Sequence, residues 1–250
     1  MLMLLKDKVA LITGAATGIG EAVARLFAQN GANLYLLDRD AERNQKVAES
    51  IRAEGSTARE FSGDVRHSAS IEPVVSAAIE EFGRVDILIN NAGIYPRQPF
   101  LSMNEEQWDE MHDVNLKSMY HGLKLVLPHM VAHGSGKVVN LSSVTFHLGM
   151  DNMTHYVASK GGVIGLTRSL AREMGAHNIH INCITPGAIK TEAEAHFVTE
   201  EQAKEFVAHQ SLRRRLLPID IARVCLFLSS ELSDGMTGQV LNVDGGWVMY

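Results

Sequence analysis

The stretch VALITGAATGIG, residues 9–20, decides the fold of this chain. Its apolar start, Val9 to Ile12, is typical of a buried strand, and its second half places glycines at positions 14, 18 and 20. A helical pattern from Glu21 to Gln29 follows. A strand, a glycine turn and a helix in this order present free N–H groups to a pyrophosphate. The spacing Gly-x-x-x-Gly-x-Gly departs from the usual Gly-x-Gly-x-x-Gly fingerprint, so the turn alone does not decide the ligand.

A carboxylate follows the next apolar run. Residues 33–37 are mostly apolar and end in Asp38, eighteen residues after Gly20. A carboxylate at this position suits hydrogen bonds to the ribose hydroxyls of adenosine and repels a 2′-phosphate. Thr17 agrees, because it leaves the glycine turn without a basic side chain. The sequence therefore favours NAD over NADP, although Arg39 and Arg43 keep NADP open as an alternative.

Three polar residues in the middle of the chain have the chemistry of a redox site. Tyr156 and Lys160 are four residues apart at the start of a helical run that reaches Met174, so they share a helix face. Ser143 follows the apolar run from Val138 to Leu141, at the carboxyl end of a predicted strand. A nearby ammonium group favours the phenolate of a tyrosine, and a serine hydroxyl can bind an oxygen on which charge develops. Tyr156 and Lys160 also allow a purely structural interpretation, as a helix-start aromatic and a solvated charge.

Apolar runs alternate with helical patterns along the whole chain. This alternation predicts an α/β fold with a parallel sheet covered by helices on both faces. Strands are predicted near residues 8–13, 33–38, 57–62, 86–90, 137–141, 179–184 and 240–243.

Composition restricts the class of protein. The chain has 250 residues, 46% of them hydrophobic, and a formal net charge of −6. One domain over residues 1–250 with one large core is expected, and the acidic balance gives no basic footprint for nucleic acid. No apolar stretch reaches the roughly 18 residues that span a bilayer, and residues 1–5 are too short for a secretory signal. We expect a cytoplasmic protein with no membrane partner.

Cysteine and histidine suggest neither a disulfide nor a metal site. Cys183 and Cys225 fall in a predicted strand and a predicted helix, where apolar filling is their expected role. His129 and His133 have the spacing of two ligands on one helix, but neither an intervening Glu nor a third ligand accompanies them. No metal is expected.

These motifs resemble those of the short-chain dehydrogenase/reductase family of the classical type, from about Leu5 to the carboxyl terminus. Further family motifs occur in order: Asp64-Val65, Asn90-Asn91-Ala92-Gly93, Asn115, and Pro186 to Thr191. The resemblance implies a three-layer Rossmann fold with a doubly wound, seven-stranded parallel sheet. It also implies reversible hydride transfer between NAD and an alcohol or ketone, with catalytic residues Asn115, Ser143, Tyr156 and Lys160.

The resemblance also assigns cofactor contacts. Asp64 and Val65 would bind adenine, residues 91–93 the adenosine ribose, and residues 186–191 the nicotinamide. Asn115 would distort its helix and hold a water against Lys160, which itself would bind the nicotinamide ribose. The expected cofactor-binding set is Gly14, Thr17, Gly18, Ile19, Gly20, Asp38, Asp64, Val65, Asn91, Ala92, Gly93, Tyr156, Lys160, Pro186, Gly187, Ile189 and Thr191.

The substrate is expected to be a small alcohol or ketone. Within the family, the segments around Tyr95 and His155 resemble aryl secondary-alcohol dehydrogenases of the 1-phenylethanol type, and residues 152–168 resemble pyridoxal dehydrogenase. Both favour a compact aromatic or cyclic substrate, bordered by Tyr95, Thr145, Phe146, Met153 and His155. Two alternatives stay open: a 3-oxoacyl-[acyl-carrier-protein] reductase that uses NADPH, and a catalytically idle NAD-binding regulator.

The resemblance further implies a lid and an assembly. Residues 192–215 are charged, loosely patterned and expected to close over the substrate. Within this segment Arg213, Arg214 and Arg215 could hold an anion, although a solvated or structural cluster is favoured. The helices near 104–133 and 155–176 are expected to pair in a homotetramer, with the tail from Trp247 to Tyr250 suited to an interface.

Overall fold

The computed structural model describes residues 3–195 and 198–249. His196 and Phe197 of the expected lid, and Tyr250 of the tail, lie outside the described residues. Seven strands form one sheet in which every pair is parallel. They are β1 (Val9–Thr13), β2 (Asn33–Asp38), β3 (Ala58–Ser62), β4 (Ile87–Asn90), β5 (Gly136–Leu141), β6 (Ile179–Pro186) and β7 (Val240–Val243). Their order is β3-β2-β1-β4-β5-β6-β7, which confirms the predicted doubly wound sheet.

Helices connect the strands. They are α1 (Gly18–Gln29), α2 (Ala41–Ala53), α3 (Ser68–Phe82), α4 (Glu105–His112), α5 (Ser118–His133), α6 (Thr145–Leu148), α7 (Thr154–Met174), α8 (Glu192–Ala195), α9 (Glu200–His209) and α10 (Pro218–Ser229). The helical turn after β1 begins at Gly18 rather than at Glu21, and α7 begins at Thr154 rather than at Val157. Both catalytic side chains expected on α7 therefore lie in its first two turns.

Two apolar layers enclose the sheet. Alternate residues of β1 point to opposite faces, as the pleat requires: Ala10 and Ile12 join one buried cluster, and Val9 and Leu11 join the other. The first cluster packs under α1, α2 and α10, and the second under α3, α5 and α7. Because both faces are covered, β1, β2 and β4 read in the sequence as nearly continuous apolar runs, whereas the edge strand β3 is more polar and less buried.

The two cysteines lie on opposite sides of this sheet, Cys183 in the second cluster and Cys225 in the first. Both are free and buried, as expected of small apolar fillers. Burial raises the pKa of each thiol to about 12, which keeps them protonated and inert. Among the described residues, no helix is both long and apolar enough to cross a membrane.

The strand order creates a cleft. β1 continues to β2 on one side, whereas β4 pairs with β1 on its other side, so the loops after β1 and β4 diverge. Such a switch point opens a crevice at the carboxyl ends of the strands, and ligands of doubly wound sheets bind there. The candidate site occupies this crevice.

Candidate active site

A cavity of about 490 Å³ runs along the carboxyl edge of the sheet. It is lined by the segments that follow all seven strands, together with residues of α7 and of the segment expected to form the lid. Sixteen of the seventeen residues expected to bind the cofactor line it, and Gly20 is the exception. Of the four expected catalytic residues, Ser143, Tyr156 and Lys160 line the cavity, and Asn115 is buried behind it.

The glycine turn has the shape of a phosphate cradle. Gly14 and Gly18 have left-handed backbones, with φ of +67° and +58°, which side chains disfavour. A Cβ on Gly14 would lie 2.9 Å from the Ala92 Cα, and one on Gly20 would lie 1.9 Å from the Gly14 carbonyl oxygen. Gly20 therefore serves close packing beneath the turn, whereas Gly14 and Gly18 shape the wall of the cavity at the start of α1.

The loop after β4 is tied to this turn. The Asn91 side-chain amide donates to the carbonyl oxygens of Thr13 and Gly14, each at 3.0 Å. The Thr13 hydroxyl accepts in return from the backbone N–H groups of Asn91 and Ala92, at 3.1 and 3.2 Å. The side chain of Asn91 thus holds the cradle together, which leaves cavity contact to the backbone around Ala92 and Gly93.

Asp38 lies where the sequence places a ribose-binding carboxylate. One of its oxygens accepts from the Ala16 N–H at 3.0 Å, and the other accepts from the Asp40 N–H at 3.0 Å. These bonds fix the carboxylate at the rim of the glycine turn, inside the cavity. Each carboxylate oxygen has a second acceptor site, so Asp38 keeps the capacity to accept from two hydroxyls.

Three arginines lie near this end of the cavity, and two of them are bound to carboxylates. Arg43 forms a two-fold bond with Glu192 at 3.1 Å and does not line the cavity. Arg66 binds the Asp64 carboxylate at 2.6 Å, and its guanidinium lowers the pKa of that carboxyl. Arg39 lines the cavity beside Asp38 and has no hydrogen-bonding partner among the described residues.

Tyr156 and Ser143 converge on the middle of the cavity. Tyr156 points inward from the first turn of α7, and Ser143 lies just beyond β5. Burial raises the pKa of the Tyr156 phenol to about 12, and a hydrogen bond from Ser143 opposes that shift. The Ser143 hydroxyl also accepts from the N–H and the hydroxyl of Thr145, at 3.2 and 3.0 Å. This leaves the hydroxyl of Ser143 oriented next to the phenol.

Lys160 is buried one helical turn after Tyr156. Its ammonium nitrogen donates to the Leu141 carbonyl at 2.8 Å and lies 5.8 Å from the centre of the Tyr156 ring. Burial lowers the pKa of Lys160 to about 8. Although Lys160 lies this close to Tyr156, burial is the largest influence on the phenol and keeps the pKa of Tyr156 above its usual value.

Asn115 interrupts a helix. The helix expected over residues 104–133 is broken into α4 and α5 by a π-helical turn, Asp113–Lys117. The Asn115 side chain points out of this turn, accepts from the Ile94 N–H and donates to the Ile94 carbonyl, both at 2.8 Å. π-Turns recur at functional sites. Here the turn aims Asn115 at the loop after β4, with its side-chain oxygen 3.2 Å from the position of a Cβ on Gly93.

The segment expected to form the lid begins directly after the loop that is predicted to bind the nicotinamide. Thr191 accepts through its hydroxyl from the Glu194 N–H at 3.1 Å and holds the start of α8. The Glu194 carboxylate binds the Arg215 guanidinium at 2.6 Å, with both side chains largely buried. Arg214 binds Asp220 at 2.7 Å, and Arg213 donates to carbonyls at the end of α9. The arginine cluster therefore has the structural role that the sequence favoured.

Only some of the expected substrate residues line the cavity. Tyr95, Thr145 and Met153 do, and the Tyr95 ring meets the Tyr156 ring edge-on with centres 6.3 Å apart. Phe146 and His155 are not among the lining residues. Phe146 is half-exposed and packs beside Gly161, whereas His155 is buried. Neighbouring residues of a helix point about 100° apart, so with Tyr156 in the cavity, His155 is turned into the protein.

Two aromatic residues from distant segments complete the cavity, and the sequence did not single them out as pocket residues. Phe206 of α9 and Trp247 of the tail both line it, with ring centres 5.6 Å apart. Trp247 also stacks on His209, at 5.3 Å and an angle of 7°. Buried Asp244 accepts from the N–H groups of residues 246–248 at 2.7 to 3.1 Å and so shapes the tail. A part of the tail that was expected at an interface thus closes the cavity of its own chain.

Within residues 3–195 and 198–249, no group of three or more His, Cys, Asp or Glu side chains is arranged to hold a metal ion.

Comparison with known proteins assigns the family. The family model described as enoyl-(acyl carrier protein) reductase matches residues 14–248. The chain belongs to the short-chain dehydrogenase/reductase family. It is thus an oxidoreductase of a family that acts on CH–OH and keto groups and binds NAD(P). The cradle at Gly14 and Gly18 and the tethered loop after β4 fit such a dinucleotide. Neither glycine position has room for a side chain without crowding Ala92 or Thr191.

Individual relatives span nearly the whole chain. A 3-oxoacyl-[acyl-carrier-protein] reductase, FabG, from Chlamydia pneumoniae is 36% identical over 97% of each protein. A provisionally assigned galactose dehydrogenase, GalD, from Rhizobium meliloti is 38% identical over 97% of this chain and 95% of that protein. The crystal structure of a provisionally assigned short-chain alcohol dehydrogenase from Sinorhizobium meliloti 1021 has a TM-score of 0.93 and 34% identity. That match covers 99% of this chain and 98% of the other.

Proposed function

We propose that this protein is an NAD-dependent dehydrogenase that interconverts a secondary alcohol and its ketone. One observation carries the proposal: the hydroxyls of Ser143 and Tyr156 converge beside Lys160 in the same cavity that holds the Asp38 carboxylate at its other end. Ser143, Tyr156 and Lys160 together suit proton transfer to and from the oxygen of an alcohol. The Asp38 carboxylate suits an adenosine with a free 2′-hydroxyl.

The protein residues would divide the proton chemistry between them. Bound NAD would supply the hydride acceptor, as the cofactor does in this class of reaction. The Ser143 hydroxyl would bind the substrate oxygen, and Tyr156 would exchange a proton with it. Lys160 would hold the nicotinamide ribose, and its charge would favour the phenolate. Asn115, behind Lys160, would support a water in a proton relay to solvent.

We further propose a compact aromatic or cyclic substrate. Support comes from four side chains of the cavity wall that offer flat or flexible apolar surface to a ring: Tyr95, Met153, Phe206 and Trp247. The same lining suits an aryl secondary alcohol or a cyclic alcohol of similar size.

A second candidate is a 3-oxoacyl-[acyl-carrier-protein] reductase, because FabG proteins are among the similar relatives. Reductases of that activity usually take NADPH. Asp38 and the engagement of Arg43 with Glu192 count against a 2′-phosphate, and the net charge of −6 counts against docking to an acidic carrier.

The test is a set of initial rates for nicotinamide reduction, with NAD and NADP in parallel. The panel holds aryl secondary alcohols, pyridoxine-type alcohols, sugar alcohols and hydroxysteroids, and acetoacetyl thioesters are assayed in the reverse direction. Turnover with NAD on a compact ring-bearing alcohol supports the proposal. A clear NADP preference with fastest turnover of the thioester would favour the acyl reductase, and NADH binding without any turnover would favour a regulator.

A further inference from the structure

The charges on the cavity wall are largely compensated, and the exceptions indicate what the substrate carries. Asp64 and Glu110 both lie within ion-pair distance of Arg66, at 2.6 and 3.7 Å. Glu194 is neutralised by Arg215. Arg39 directly follows Asp38 beside the glycine turn, and it has no ion-pair or hydrogen-bonding partner among the described residues.

Arg97 is the other arginine of the cavity wall that lacks such a partner among the described residues. It lines the cavity, and no carboxylate or carbonyl among residues 3–195 and 198–249 forms an ion pair or hydrogen bond with it. An uncompensated guanidinium is a fork of five donors that matches a carboxylate in geometry and charge.

The backbone fixes Arg97 at the substrate end. Two residues before it, Tyr95 meets the Tyr156 ring, and one residue after it, the Gln98 N–H donates to the Asn152 carbonyl at 2.7 Å. Met153, which follows Asn152, lines the cavity as well. The loop that carries Arg97 is therefore joined on one side to the Tyr156 ring, through Tyr95, and on the other to the segment before α7.

We infer that Arg97 binds a carboxylate of the substrate, so that the preferred substrates are compact secondary hydroxy acids and the corresponding keto acids. This inference rests on the proposed function, because it assigns the substrate of the same site. The apolar wall would hold the body of such a molecule, Tyr156 and Ser143 its hydroxyl, and Arg97 its negatively charged end. The guanidinium of Arg97 is exposed to solvent, so the attraction should weaken as salt is added.

The kinetic test compares matched anionic and neutral alcohols. The pairs are 4-(1-hydroxyethyl)benzoate against its primary amide, and 3-hydroxybutanoate against its methyl ester. We expect kcat/KM to be at least about tenfold higher for one or both acids, the size of a hydrogen bond to a charged group. Arg97→Gln should remove that preference without slowing the neutral compounds, and Arg97→Lys should retain part of it. Arg223→Gln, an exposed arginine of α10 outside the cavity, is the matched control and should change nothing.

A binding measurement keeps the inference testable without turnover. Calorimetry would follow 4-acetylbenzoate and 4-acetylbenzamide binding to the protein saturated with NAD, in wild type and Arg97→Gln. Tighter binding of the benzoate that is lost in Arg97→Gln supports a carboxylate site, even if no alcohol is oxidised and the proposed function fails. Equal behaviour of acid and amide, or an equal loss for both in Arg97→Gln, overturns the inference while leaving the dehydrogenase proposal intact.

Discussion

At the scale of single residues, the protonation of Tyr156 sets the pH dependence. Burial raises its pKa to about 12, so the phenol is protonated at neutral pH and ready to donate to a ketone oxygen. Alcohol oxidation instead needs the phenolate. We therefore expect kcat/KM for oxidation to rise with pH between roughly 6 and 10, and kcat/KM for ketone reduction to stay flat or fall over that range. Initial rates in both directions measure this, and an oxidation rate that falls as pH rises would contradict the assignment of Tyr156.

The cofactor preference also depends on one residue. Asp38→Asn keeps one acceptor for the Ala16 N–H, but removes the charge that repels a 2′-phosphate and one acceptor for the ribose. We expect the ratio of kcat/KM for NAD over NADP to fall by about tenfold or more, since charged hydrogen bonds of this kind contribute about 1.5–3 kcal/mol. Asp40→Asn is the control, because Asp40 caps α2 through the Arg43 N–H and lies outside the cavity lining. An unchanged ratio in Asp38→Asn would remove the basis of the NAD preference.

At the scale of elements, we propose that residues 192–215 form a lid over the cavity, held in place by two ion pairs that differ in burial. Glu192 and Arg43 are 61% and 48% exposed, whereas Glu194 and Arg215 are 13% and 19% exposed. An exposed pair contributes only about 0–1 kcal/mol, and breaking a shielded one leaves a guanidinium without its partner. We expect Glu194→Gln to raise the KM for the alcohol and to speed proteolysis within residues 198–209. Glu192→Gln, the matched control, should have little effect on either, and equal effects of the two variants would exclude a latch at Glu194.

The strands, turns and helices also show which structural features can be predicted from the sequence. The strands lie within two residues of their predicted bounds, and most of them read as apolar runs because they are buried on both faces. The glycine turn was also predictable, since glycine adopts the left-handed backbone of residues 14 and 18 more readily than other residues do. A distorted helix at Asn115 was implied by the family resemblance, whereas no local pattern marked the π-turn at Asp113–Lys117, in which the Asn115 side chain bonds to the Ile94 backbone.

The residues of the candidate site also differ in how well the sequence predicted them. Motif residues fixed by the sheet and by α7 all meet in or behind the cavity. The direction of His155, in contrast, depended on the start of α7, and that of Phe146 on the short helix α6. The contribution of Trp247 depended on packing between the tail and α9. Contacts between segments far apart in sequence leave no periodic signal in either one.

At the scale of the whole molecule, we propose a homotetramer. The helices expected at its interface carry exposed apolar residues, among them Tyr120 of α5 at 52% exposure, and Leu101 just before α4 is 99% exposed. Exposed apolar surface of this kind marks association faces. Sedimentation velocity should give a mass close to four times 27.4 kDa, and Tyr120→Glu should shift the protein to smaller species. A wild-type protein that sediments as a monomer at micromolar concentration would contradict the proposal.

The central claim, a dehydrogenase that works through Tyr156, is tested most directly by Tyr156→Phe. The measurement is kcat/KM with NAD for the alcohol that the wild type oxidises fastest, with the Kd of NADH determined in parallel. General acid–base catalysis predicts a fall in kcat/KM of about 10²–10⁴-fold with the Kd of NADH nearly unchanged. Turnover close to the wild-type rate in the variant, with cofactor binding intact, would contradict the claim.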